Sequence, residues 1–184
     1  MKSNSIKNGI LIAVFALTSM YASAQDTKIV GGAEMYPTKN IVENAVNSKD
    51  HTTLVAAVKA AGLVETLQSE GPFTVFAPVN KAFEALPEGT VETLLKPENK
   101  EQLQAVLTYH VVAGKMDAEA LMEAVKKGMG KAKLKTVNGE ELVVMQKGKK
   151  LWVMDAKGNK AKVTIADVYQ SNGVIHVIDT VLLP

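Results

Sequence analysis

Ser171-Asn-Gly-Val-Ile-His-Val-Ile-Asp-Thr-Val-Leu-Leu-Pro184 reads as an Asn-Gly turn feeding a strand that is apolar on both faces except at His176 and Asp179. Side chains alternate along a strand, so Val174, His176, Ile178, Thr180 and Leu182 share one face, and Ile175, Val177, Asp179 and Val181 share the other. A strand apolar on both sides belongs in the middle of a sheet that is covered on both faces. Two titratable groups inside it then need interior partners, and because they point opposite ways they cannot serve each other.

The period of two extends upstream to Lys131. Lys133–Val137, Glu141–Gln146, Leu151–Asp155 and Lys160–Ala166 are strand candidates, with Asn138-Gly139, Gly148-Lys149 and Gly158-Asn159 as the turns between them. Before Lys131 the period is helical. Leu54, Val58, Ala61 and Val64 recur at helical spacing behind Asp50 as N-cap. Gly71-Pro72 ends that region, and Phe73–Ala77 is a short strand stopped by Pro78. Asn80, Thr90 and Asp117 are placed to cap helices, and Asn99 with Gln102 makes a capping-box variant. Leu103, Val106, Leu107 and His110 fall at i, i+3, i+4 and i+7, which puts His110 on a buried stripe. Helices first and strands later, with one early strand, predict an α+β domain.

The first 24 residues read as a secretory signal peptide. Lys2 and Lys7 precede the apolar run Ile10–Leu17, which is too short to span a bilayer comfortably, and Ala22-Ser-Ala24 supplies small residues at the cleavage position. Residues 25–37, with Gly31-Gly32, read as a flexible lead-in, and 38–184 as a single domain. There is no cysteine, so disulfides and thiolate metal sites are excluded. Without Lys2 and Lys7 the charges balance at 19 − 19 = 0, yet unevenly. Residues 25–125 carry 8 Lys against 14 acids, whereas residues 126–162 carry 11 Lys against 3. The chain has no arginine, so every positive side chain is a point-like ammonium and not a bidentate fork.

Three blocks, in order and correctly spaced, carry a family resemblance: Gly71-Pro-Phe-Thr-Val-Phe-Ala-Pro-Val-Asn-Lys-Ala-Phe83, Leu107-Thr-Tyr-His-Val-Val112 and Asn172 to Pro184. Together they resemble the fasciclin-type domain over roughly Asn40 to Pro184. The resemblance implies a wedge-shaped β-sandwich of about seven strands with helices packed against it, and an exported, non-enzymatic adhesion or binding role. It also points to Tyr109 in the Tyr-His block, and to Asp167 and Val168 in Ile165-Ala-Asp-Val-Tyr169, as partner-binding residues. That stretch matches the short acidic pentapeptide tied to integrin adhesion in animal members, although here the positions before Asp167 are apolar.

Read from the residues alone, His110, His176 and Asp179 are buried polar groups that hold the scaffold. His51 lies in a polar Lys-Asp-His-Thr-Thr stretch without ligand spacing. No zinc-protease, EF-hand, phosphate-loop or nucleophile-elbow pattern is present, so neither catalytic residues nor a cofactor or metal are expected. The lysine-rich segment 126–162 suits an acidic glycan or an acidic cell-surface or matrix protein, or else serves only to solubilise an outer face. Nucleic acid does not fit an exported chain. Two other readings stay open: a small-ligand protein or enzyme using His110 or His176, and an envelope protein that associates with copies of itself.

Overall fold

The computed structural model describes residues 27–184, so the expected leader lies outside the described residues. Two short strands come first, β1 (Lys28–Val30) and β2 (Ala33–Met35), followed by helices α1 (Ile41–Ala45), α2 (Thr52–Ala61) and α3 (Val64–Gln68). Next are β3 (Phe73–Pro78), helices α4 (Asn80–Glu84), α5 (Thr90–Leu94) and α6 (Lys100–Tyr109), then β4 (Val111–Ala113) and α7 (Ala118–Lys127). The meander follows as β5 (Lys131–Lys135), β6 (Glu141–Lys147), β7 (Lys150–Met154), β8 (Lys160–Gln170) and β9 (Gly173–Ile178).

Seven strands form one sheet in the order β4-β3-β9-β8-β7-β6-β5. The doubly apolar strand β9 is therefore internal, parallel to β3 and antiparallel to β8. Gly173 permits the close approach at its start, because a Cβ there would overlap the Phe73 carbonyl oxygen. The sheet bends until its ends nearly meet: Val112 of β4 bridges Thr136 just past β5, and Val137 N–H donates to the Val111 carbonyl at 2.7 Å. The sheet thus folds into the wedge-shaped sandwich that the sequence suggests.

Both faces of β9 are covered, as its composition requires. On one side Ile178 joins Phe76, Leu142, Val144 and Val153 beneath Leu121 and Val125 of α7. On the other, Ile175 and Val177 pack with Val75 and Val168 against Val30, Met35 and Ile41. Complete burial of each such Val or Ile contributes about 1.5–3 kcal/mol.

The turn residue Asn172 ties this strand to the helical half. Its Oδ1 accepts the Ile41 N–H at the start of α1 (3.0 Å), while its Nδ2 donates to the Leu67 and Ser69 carbonyls at the end of α3 (2.8 and 2.9 Å). One buried amide thereby satisfies orphan groups at the ends of two helices.

Several expectations need correction. Residues 28–35 are not a mobile lead-in: β1 and β2 pair as a hairpin whose Val30 and Met35 are almost fully buried. The chemistry that docks it is at the Gly31 turn, where the Gly31 carbonyl accepts from Lys49 N–H at 3.1 Å. Asp179 is exposed, because β9 stops at Ile178; its carboxylate takes the Lys162 N–H at 2.8 Å. Asp50 and Thr90 cap nothing, and Asn99 precedes α6 without capping it, donating from its side-chain amide to the Thr93 carbonyl in the last turn of α5 at 2.7 Å. Asn80 does not cap its own helix but reaches back to α2, accepting Thr53 N–H at 3.0 Å and donating to the Lys49 carbonyl at 2.9 Å. The true capping box is Asn40 with Glu43 on α1, and Asp117 caps α7 as its spacing suggests.

Candidate functional site

Tyr109, Asp167 and Val168 do not assemble into a surface. Tyr109 ends α6 fully buried, its hydroxyl donating to the Glu141 carbonyl (3.0 Å) and accepting from Ala156 N–H (2.9 Å). Burial raises its phenol pKa. Val168 is also fully buried, packed in the layer behind β9. Between Ile165 and Val168 the pairing of β8 with β9 slips register, and Asp167 sits in that irregularity with a left-handed φ of 57°. Its carboxylate turns to α7 and accepts the Ala118 N–H at 2.6 Å, beside Asp117, which accepts from Ala120 N–H at 2.9 Å. Asp167 is thus a helix-terminus group, favoured there by the exposed amides and the dipole.

The buried histidines are fully engaged. His110 donates from Nδ1 to the Val106 carbonyl (2.8 Å) and accepts the Leu182 N–H at Nε2 (3.0 Å). Burial lowers its pKa to about 4, so the ring is neutral at ordinary pH. His176 donates from Nε2 to the Met116 carbonyl (2.8 Å), accepts the Asp167 N–H at Nδ1 (3.4 Å) and stacks on Phe76 with ring centres 5.7 Å apart. Burial lowers its pKa too. Neither ring has a free nitrogen to offer a substrate.

What the fold does present is the outer face of β5–β8. Cross-strand pairing lines up Lys131, Met145, Trp152 and Lys162 in one row, and Lys133, Val143, Met154 and Lys160 in the next. Lys147 pairs Lys150 at one end, Lys135 pairs Glu141 at the other, and Lys147 Nζ lies 5.5 Å from the centre of the Trp152 indole. Half-buried Trp152 and Met154 therefore form an apolar stripe with lysines on both sides. Glu141 pairs with Lys133 at 2.9 Å, and among the described residues the other lysines of this face have no ion-pair partner.

Comparison with known proteins decides the relationship. A family model described as Fasciclin domain matches residues 49–184. The chain belongs to the fasciclin domain family. This fasciclin domain is 49% identical over 162 residues to Protein sll1483 of Synechocystis, covering 88% of this chain and 83% of that one. It is 33% identical over 135 residues to human periostin, covering 73% of this chain but only 15% of periostin, so it corresponds to a small part of that protein. Its fold matches a FAS1 domain pair from the insect cell adhesion molecule Fasciclin I with a TM-score of 0.70, at 19% identity, covering 79% of this chain and 51% of that one. No helix of its described residues is long and apolar enough to cross a membrane.

Two features of this fasciclin domain escape a motif-based reading. Trp152 is the only tryptophan in the chain, and the alternation of β6 and β7 already separates Val143, Met145, Trp152 and Met154 from the inward Leu142, Val144, Leu151 and Val153. Applying the period of two to the apolar residues as well as to the lysines exposes the stripe. His51 is the other. It looks solvent-facing in its polar stretch, yet it is 2% exposed. Nothing local in the sequence signals this, because its cover comes from elements distant in the chain.

Proposed function

We propose that this fasciclin domain is an exported, non-enzymatic adhesion module that holds an acidic glycan of a cell surface or matrix on the outer face of β5–β8. The observation that carries the reading is the central position of Trp152 among lysines that lack acidic partners. An indole face stacks on the C–H side of a sugar ring, and flanking ammonium groups attract its carboxylates. Without arginine the contact is multivalent and salt-sensitive, which suits reversible attachment to a polymer. The leader read at residues 1–24 supports export, and the kinship with a cell adhesion molecule supports the adhesion class.

Titration of polygalacturonate and of neutral dextran into the purified protein, measured by isothermal titration calorimetry so that the tryptophan-free variant is read in the same way, tests this. The acidic polymer should bind and the neutral one should not, with affinity falling as salt rises. Trp152→Ala should weaken binding about tenfold, and Lys131→Ala with Lys162→Ala should flatten the salt dependence. Equal binding of dextran, or an unaffected Trp152→Ala, rejects the proposal.

A further inference from the structure

Among the described residues one buried side-chain polar atom has no hydrogen-bond partner: Nε2 of His51. Buried polar atoms are nearly always paired, so an exception needs an explanation. The Nδ1 of the same ring is fixed 2.9 Å from Ser48 Oγ. The Ala77 carbonyl is near enough to favour a proton on the ring but falls outside hydrogen-bonding geometry.

The ring forms part of the wall of an apolar cleft. Ile41, Leu54, Val58 and Leu67 supply the helical side and Val75 and Ile175 the sheet side. The cavity inside it is about 70 Å³. A cavity of that size has no room for a bulky ligand and admits at most a slender chain. His110 also borders it, with both nitrogens already engaged. Lys59, on the exposed side of α2, is the one lysine on the wall, and no carboxylate lines it.

We infer that this cleft binds a slender apolar molecule bearing one hydroxyl, with the hydroxyl at His51 Nε2 and the hydrocarbon between α1–α3 and the sheet. A hydroxyl fits either tautomer of His51, because Ser48 Oγ can give or take a proton and the hydroxyl can answer in kind. A carboxylate would enter an apolar wall with no buried cation to meet it. None of the wall residues belongs to the outer face of β5–β8, so this site stands apart from the glycan surface.

The test titrates octan-1-ol, octanoate and octane into the purified protein while recording amide spectra of Leu54, Val58 and Ile175 and the ring nitrogens of His51. Octan-1-ol should shift these amides and the His51 Nε2 resonance, and bind about tenfold more tightly than octane. His51→Phe, which keeps an apolar ring, should abolish that preference, and Val55→Trp at the half-exposed wall should block both compounds. Cleft amides unmoved by all three compounds would overturn the inference. Octanoate binding best would also overturn it, by placing the polar head at Lys59, and so would a preference that survives His51→Phe. Should His51→Phe fail to fold, the His51 Nε2 response of the unaltered protein to octan-1-ol decides the matter.

Discussion

The Nε2 of His110 accepts the amide proton of Leu182 at 3.0 Å, joining the end of α6 to a segment 72 residues further along the chain. The Asp155 carboxylate does the same for Leu183 at 3.1 Å, so two buried side chains hold the stretch that follows β9. The arrangement requires a neutral imidazole, because a second ring proton would face the Leu182 N–H. Unfolded, His110 takes up its proton near pH 6.5, whereas folded it does so only at about 4. The stability it gives is complete above pH 6.5 and drains away as pH falls toward 4, amounting to about 3 kcal/mol. His51 and His176, also lowered by burial, add loss in the same direction. The urea midpoint should therefore drop steeply between pH 7 and 5, and less steeply in His110→Gln. Equal slopes would refute the assignment.

Asp167 should matter to stability and not to glycan binding. Asp167→Ala removes the acceptor of the Ala118 N–H and leaves alanine in a left-handed conformation, costing about 1–2 kcal/mol. Asp167→Asn keeps an oxygen acceptor and tolerates that φ, so it should recover most of the loss. Urea melts of the two variants, with polygalacturonate titrations alongside, separate a helix-terminus role from a contact role.

Asn172 makes three hydrogen bonds to backbone, one at the start of α1 and two at the end of α3. Asn172→Ala should cost about 3 kcal/mol, since it orphans a donor and two acceptors in a largely buried place. Asn172→Asp keeps the Ile41 contact but sets a carboxylate against two carbonyls, and should fare no better. Differential scanning calorimetry at neutral pH measures both.

Gly31 has φ 58°, and a Cβ there would overlap Ser48 Oγ and lie 2.6 Å from the Asp50 amide nitrogen. Gly31→Ala should therefore lift the β1–β2 hairpin from the Ser48–His51 turn, at a cost of about 1–3 kcal/mol. Hydrogen exchange should quicken at Ile29, Val30 and the α2 amides, with β5–β8 unaffected. Unchanged exchange at Val30 would show that the hairpin docks independently of that turn.

Much of the fold is legible in the sequence because its strands obey alternation strictly. The closing strand declares its central place through Val174, Ile175, Val177 and Ile178, and Lys131, Lys133 and Lys135 declare an outward face. Capping is harder to read, because an Asn can serve a helix that is not its own, as Asn80 does for α2. The hairpin is missed because polar composition conceals two anchors, Val30 and Met35, whose cavity is built by residues far along the chain. Family motifs mislead at Tyr109 and Val168 for a related reason. A recurrent residue type marks a constraint without saying whether it faces inward, and both of these face inward. The Trp152 face, by contrast, needs only periodicity.

The placement of β9 bears on how the molecule comes together. The strand that joins the β3–β4 pair to the β5–β8 meander is the last of the seven to be synthesised, and its partner β3 lies a hundred residues earlier in register. Until Gly173–Ile178 is available, β3 and β8 each keep an unpaired edge, and the two halves of the sheet meet only at the Val112–Thr136 bridge. Completion is then a single closing event over long loops, which is slow and all-or-none. Such an order leaves the earlier strands unsealed until β9 is in place, so the domain forms as one unit and not strand by strand.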